Sequence, residues 1–206
     1  MAEPVLRVQD IHKAFGRHKV LRGVDFSVAP GTLVGIVGEN GAGKSTLLKI
    51  LAGELHPSRG QVSRRGALGY CPQTVILNDT LTVQQHLDYF RAAYRLADLR
   101  RANELIERLG YESYRHTVVG SLSGGTKQKL NLTLALMHQP NVLLLDEPYQ
   151  GFDWETYLRF WDLTGELREQ GCAVVIISHL FFEQKRFDVL YHLQQGRIEQ
   201  EQATAA

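Results

Sequence analysis

The stretch Thr32-Leu33-Val34-Gly35-Ile36-Val37 is almost wholly apolar and runs straight into Gly38-Glu39-Asn40-Gly41-Ala42-Gly43-Lys44-Ser45-Thr46. Behind it Leu47, Leu48, Ile50 and Leu51 recur at helical spacing. A buried strand, a glycine loop of the form G-x-x-x-x-G-K-[ST] and a helix, in that order, build an anion cradle. The glycines let backbone N–H groups close on phosphate, and the helix N-terminus aims its free N–H groups and dipole at the same charge. Gly38, Gly41 and Gly43 therefore free the backbone, Lys44 is placed to reach β- and γ-phosphates, and Ser45 to put its hydroxyl on Mg²⁺. Asn40, Ala42 and Thr46 complete the loop as nucleotide contacts.

A second apolar strand, Val142-Leu143-Leu144-Leu145, ends in Asp146-Glu147. In an open α/β sheet the carboxyl ends of the strands face the ligand crevice. Asp146 is then the residue for the Mg²⁺ shell, and Glu147 a general base that could polarise an attacking water. Between the two strands lies Leu122-Ser123-Gly124-Gly125-Thr126, ahead of a helix carrying Lys127 and Lys129. Ser123 as N-cap with two exposed glycines suits either a second anion site or an ordinary capped helix.

The rest of the chain reads as a frame for these segments. Strands are expected over Val5–Val8 and Gly23–Val28, and short ones between Gln61 and Cys71 around Gly66. A helical, amphipathic stretch is expected from Thr82 to Leu109, stopped by Gly110. Helices over Ser123–His138 and Trp154–Gln170, a buried strand over Cys172–Ser178 and a hairpin over Val189–Ile198 follow. The fold class is α/β: a mainly parallel core sheet, an antiparallel N-terminal part and a helical insert. One domain of 1–206 is expected, with a core of about 1–73 and 141–206 and a helical subdomain of about 74–140.

Composition excludes several alternatives. The 23 basic and 22 acidic side chains give a net charge of +1, which leaves no electrostatic footprint for nucleic acid. No apolar run nears the ~20 residues of a membrane span, and no signal peptide is visible, so any membrane part must be another chain. The two cysteines, Cys71 and Cys172, cannot make a disulfide framework and suit a reduced cytosolic setting. The favoured reading of Cys71 is a small inert residue; a reactive thiol beside Gln73 is the alternative.

The Ser123 segment resembles the signature motif of the ATP-binding-cassette (ABC) ATPases, and the likeness to an ABC transporter nucleotide-binding subunit covers nearly the whole chain in the family's motif order. Lys13-Ala14-Phe15-Gly16 resembles the loop whose aromatic ring stacks on adenine, which gives Phe15 that role. Tyr70-Cys71-Pro72-Gln73 resembles the Q-loop, implying that Gln73 touches Mg²⁺ or the attacking water and signals to a membrane partner. Pro148 to Asp153 resembles the run into the D-loop, with Asp153 the matching aspartate. Ile177-Ser178-His179 resembles the H-loop, whose histidine contacts the γ-phosphate. The resemblance implies a head-to-tail dimer, of two copies or of this chain and a similar one. Ser123, Gly124 and Gly125 then complete the partner's ATP site.

Three departures stand out: Thr126 where the family usually has glutamine, Tyr149-Gln150 where it has small hydroxyl residues, and a short Pro57–Tyr70 segment. The expected function is ATP hydrolysis, with Mg²⁺, powering a separate transmembrane permease. The protein would be cytoplasmic, peripheral on the inner face of the cell membrane, touching the membrane only through that permease. A soluble ABC ATPase and a nucleotide-sensing scaffold are the competing readings. Intact Glu147 and His179 argue against the scaffold.

Overall fold

The computed structural model describes residues 3–74, 76–178 and 185–201. The chain opens with a hairpin, β1 (Leu6–Phe15) and β2 (His18–Val28), then β3 (Leu33–Val37) and α1 (Lys44–Ala52). β4 (Arg59–Arg64) and β5 (Leu68–Cys71) precede three helices, α2 (Val83–Ala93), α3 (Arg100–Arg108) and α4 (Gly124–Leu136). β6 (Val142–Asp146), α5 (Trp154–Glu169), β7 (Ala173–Ser178), β8 (Val189–Gln194) and β9 (Arg197–Gln200) close it.

The strands form two sheets: a three-stranded antiparallel one ordered β2-β1-β4, and a six-stranded one ordered β5-β6-β7-β3-β8-β9. All neighbours in the larger sheet run parallel except the β8–β9 hairpin. Its central strands are buried at every position, as a sheet covered on both faces must be. Leu143, Leu145, Val174 and Ile176 point to a core shared with α2 to α5. Val142, Leu144, Val175 and Ile177 point the other way, to α1 and the antiparallel sheet. Each such side chain contributes roughly 1.5–3 kcal/mol by leaving water. This double seal is what holds the carboxyl ends of β3, β5, β6 and β7 at one edge of the molecule.

Two expectations are corrected. The first two strands run much further than read, because β1 carries an irregularity between Val8 and Ile11, with Asp10 at φ 49°. The buried positions are Leu6, Val8 and then Ile11, so the two-residue alternation slips by one and continues. The helical stretch from Thr82 to Leu109 is two helices. Arg95 turns left-handed at φ 55°, and the Asp98 carboxylate accepts from the Arg100 N–H at 2.9 Å, starting α3 afresh. α2 begins where expected, on a reciprocal Thr82–Gln85 capping box.

Candidate functional site

Gly38 follows β3 directly, and a Cβ there would meet the Leu193 carbonyl oxygen of β8 at 2.3 Å, so only glycine lets the loop leave the sheet at this point. Gly41 and Gly43 hold φ of 83° and 105°, which glycine adopts without strain. At Gly43 a Cβ would also press on Val20 and Leu21 of β2 at 3.1 and 3.0 Å. The loop thus wraps inward to present α1 by its N-terminus. The Lys44 ammonium donates to the carbonyls of Gly38 at 2.7 Å and Glu39 at 3.0 Å, and the residue is 8% exposed. Burial holds its pKa below the ordinary lysine value, countered by the nearby Glu147 and Asp146 carboxylates.

Those carboxylates arrive from the next strand but one. Parallel register sets Cys71 beside Leu145 and Asp146 beside Ile177, so β5, β6 and β7 end together. Asp146 is buried, and desolvation raises its pKa; a hydrogen bond from Ser45 pulls the other way. Glu147 extends the ladder by one amide, donating to the Ile177 carbonyl at 3.0 Å, and then turns left-handed at φ 49°. A non-glycine residue in that region costs of order 1 kcal/mol or more, and such outliers gather where a side chain must be aimed. Gln73, two residues beyond β5, donates from Nε2 to Glu147 Oε2 at 3.5 Å.

Lys44, Ser45, Gln73, Asp146 and Glu147 line one open cleft of about 300 Å³. Asn40, Gly41, Gly43, Thr46 and Val20 complete its wall. The oxygen donors of Ser45, Gln73 and Asp146, beside a lysine and a nest of loop N–H groups, fit a Mg²⁺-bound polyphosphate: hard oxygen ligands for the cation, cationic and amide donors for the anion. Phe15 stands apart from this lining, at the tip of the β1–β2 hairpin. It is 52% exposed, with Lys13 Nζ 5.2 Å from its ring centre.

A second group of expected site residues gathers elsewhere. Ser123 caps α4, its Oγ accepting from the Thr126 N–H at 3.2 Å. Gly125 sits so close to the Gly151 carbonyl oxygen that a Cβ would meet it at 2.2 Å. Asp153 caps α5 by accepting from the Thr156 N–H at 2.8 Å, which holds its pKa below the ordinary value, and Lys129 lies 3.8 Å away. Ser123, Gly124, Gly125 and Asp153 are absent from the lining of the phosphate cleft. His179 lies outside the described residues.

Comparison with known proteins converges on one family. The family model described as ABC transporter matches residues 21–150. The chain is 36% identical over 200 residues to the zinc import ATP-binding protein ZnuC of Halorhodospira halophila, covering 95% of this chain and 76% of that one. The chain belongs to the ABC transporter family. It is also 34% identical to the probable multidrug ABC transporter ATP-binding protein YbhF of Escherichia coli, over 95% of this chain and 36% of that one. A solved ATP-binding subunit of an ABC transporter superposes with a TM-score of 0.91 at 27% identity, over 97% of this chain and 90% of the other. The protein is thus an ATP-binding, ATP-hydrolysing subunit of an ABC transporter. Among the described residues no helix is long and apolar enough to cross a membrane.

Within this ABC subunit the departures from the family pattern acquire physical content. The Thr126 hydroxyl lies 2.9 Å from Ser123 Oγ, so it bonds the capping serine directly. Tyr149 packs edge-on against Tyr157 and Phe160 and places its hydroxyl 2.6 Å from Ser178 Oγ at the end of β7. Cys71 is fully buried and burial drives its thiol pKa upward, so the inert reading holds and the reactive-thiol alternative falls. Motif reading missed Gln128 and Asn131 of α4, both buried and both bonded to the loops that carry Gln73 and Glu147. Polar residues in a helix surrounded by core are the signal that could have found them.

Proposed function

We propose that the cleft binds MgATP and that catalysis requires a second subunit, identical or similar, closing head-to-tail over it. The geometry that supports this is the separation within one protomer: the phosphate cradle with its carboxylates forms one cluster, and Ser123, Gly125 and Asp153 form another. In such a dimer each protomer lends its second cluster to the other's first. Lys44 and the N-terminus of α1 neutralise the β- and γ-phosphates, while Phe15 offers its exposed ring to adenine. Ser45, Asp146 and Gln73 would hold Mg²⁺, which would supply neutralisation of the charge that develops on the phosphates.

Glu147 is the general base. It takes a proton from a water aligned by Gln73 as that oxygen attacks the γ-phosphorus, and the bond to the β-phosphate oxygen breaks to give ADP and phosphate. His179, by resemblance, contacts the γ-phosphate. The Ser123 hydroxyl and α4 dipole of the partner face the same group, so its loss removes what bridges the two halves. The permease would be gripped beside Gln73 and the helical arm of about 74–140, placing the subunit on the inner face of the membrane. Cargo choice belongs to that permease, in keeping with relatives named for zinc import and for multidrug transport.

Glu147→Gln tests the reading. The amide keeps the shape and loses the base, so turnover should fall by about 10²–10⁴-fold, and light scattering with saturating MgATP should show a dimer. A variant that stays monomeric under those conditions sinks the proposal. Unchanged turnover would instead show that Glu147 is not the general base.

A further inference from the structure

α4 is buried on nearly every side, yet its core-facing positions include two primary amides, Gln128 at 4% and Asn131 at 8% exposure. A buried amide must find partners or cost stability, and the partners here are informative. Asn131 Nδ2 donates to the Pro72 carbonyl at 3.1 Å and to Cys71 Sγ at 3.2 Å. Gln128 Nε2 donates to the Pro148 carbonyl at 3.2 Å and reaches toward the same sulfur at 3.6 Å. A carbonyl can only accept, so both amides present their nitrogens to these loops.

The bonded carbonyls occupy particular places. The β5–β6 ladder ends at Cys71 opposite Leu145, and the β6–β7 ladder at Asp146 opposite Ile177. Pro72 and Pro148 lie just past those ends, the first immediately before Gln73 and the second immediately after Glu147. Where strand pairing stops, α4 takes over the fixing of the backbone. Gln73 and Glu147 face each other across 3.5 Å, at the point where the attacking water must be aligned. Each therefore hangs from a peptide pinned by the same helix.

We infer that Gln128 and Asn131 are positioning residues for hydrolysis: a two-amide clamp that sets the spacing of Gln73 and Glu147 and couples it to the helix beginning at Ser123. The inference rests on the roles proposed above for Gln73, Glu147 and Ser123, and it adds an intramolecular connection. One rigid helix carries at its N-terminus the group offered to the partner's nucleotide, and along its buried face the bonds that align the protomer's own catalytic pair. Movement of α4 on engagement of the partner is thereby transmitted to Pro72 and Pro148 through two short polar contacts. Cys71 sits between the amides as a soft acceptor, which gives this buried cysteine a structural part.

A double-mutant cycle on the full-length protein tests the clamp. Asn131→Ala should lower kcat about tenfold with KM for MgATP within about twofold, because alignment is lost and nucleotide contacts are kept. In a Gln73→Ala background the same substitution should change kcat by less than about twofold, since the residue it positions is gone. Rates are compared well below each variant's melting temperature, so that loss of stability alone leaves kcat unmoved. If Asn131→Ala does not fold, Asn131→Leu, which fills the volume without the donors, takes its place in the cycle. An unchanged kcat, or an equal loss in both backgrounds, overturns the inference. Full activity in Gln73→Ala alone sinks it together with the role proposed for Gln73, whereas a monomeric Glu147→Gln variant sinks the dimer reading.

Discussion

Gly124 and Gly125 are neighbours in one motif, and the structure assigns them opposite tolerances. A Cβ added at Gly124 meets no atom within 4 Å, whereas one at Gly125 lands 2.2 Å from the Gly151 carbonyl oxygen. Both lie in the first turn of α4 at negative φ, so alanine is compatible with the backbone at either site. Each Gly→Ala change gains about 0.4–1 kcal/mol by restricting the unfolded chain. At Gly124 that gain stands alone. At Gly125 ordinary contact begins at 3.4 Å, so the carbonyl must retreat by about 1 Å, and overpacking of this kind costs about 1–3 kcal/mol. The two variants should therefore differ by about 1–3 kcal/mol, with Gly124→Ala the more stable.

Thermal melting of the nucleotide-free protein reads this directly, since each kcal/mol moves Tm by about 2–4 °C in a chain of this length. In the proposed cycle the partner surface is engaged only with nucleotide bound, so the comparison isolates the contact inside one protomer. Equal melting temperatures, or a higher one for Gly125→Ala, would refute the argument that Gly125 is required by close packing on the D-loop. The activity consequence differs again: displacing Gly151 disturbs the turn leading to Asp153, whereas a methyl on Gly124 meets only what closes over it.

Further outcomes follow from charge at Asp153 and Asp146. Asp153→Ala removes the cap of α5 and should cost about 0.5–2 kcal/mol in urea unfolding, while Asp153→Asn keeps an acceptor and costs less. Because the Thr156 N–H lowers its pKa, the Asp153 carboxylate contributes in full at neutral pH; its contribution fades only as pH falls below the ordinary value of 3.8 toward the lowered one. Asp146 has the opposite sign. Its pKa is raised by burial, so ionisation costs stability as pH rises through the raised value, although the role proposed for Asp146 with Mg²⁺ needs the ionised form. Asp146→Asn should then raise the melting temperature of the nucleotide-free protein at pH 7 while abolishing turnover. The acid limb of the wild-type kcat/KM profile should lie above pH 3.8. A lower melting temperature for Asp146→Asn would count against the desolvation account.

The phosphate loop, the Asp146-Glu147 strand end and the capped start of α4 were legible because each is a local pattern: a few adjacent residues whose backbone demands and side-chain chemistry coincide. Longer elements were legible only while their periodicity held. The alternation that marks β1 stops at Val8 in sequence because Asp10 slips it, and the core contacts of Ile11 restore it from a distance. α2 and α3 look like one stretch in sequence because Leu87, Phe90, Leu105 and Ile106 all supply apolar faces, while the break at Arg95 carries no proline or glycine. α4 gave no amphipathic signal, being buried almost all round, and was placed by Ser123 at its start and Gln139-Pro140 after its end.

Residue order alone therefore shows which groups this protein can offer: a lysine and glycines suited to polyphosphate, carboxylates suited to a cation and a water, and a capped helix suited to a second anion contact. Which of these meet was decided in three dimensions. Parallel pairing brings the ends of β5, β6 and β7 to one edge, so Gln73 reaches Glu147 across a long stretch of chain, while Ser123 and Asp153 are kept on a separate surface. The clamp of Gln128 and Asn131 belongs wholly to that second level. An amide within a helix declares no partner in sequence; it acquires one only when a packed core excludes water and leaves two strand-end carbonyls within reach.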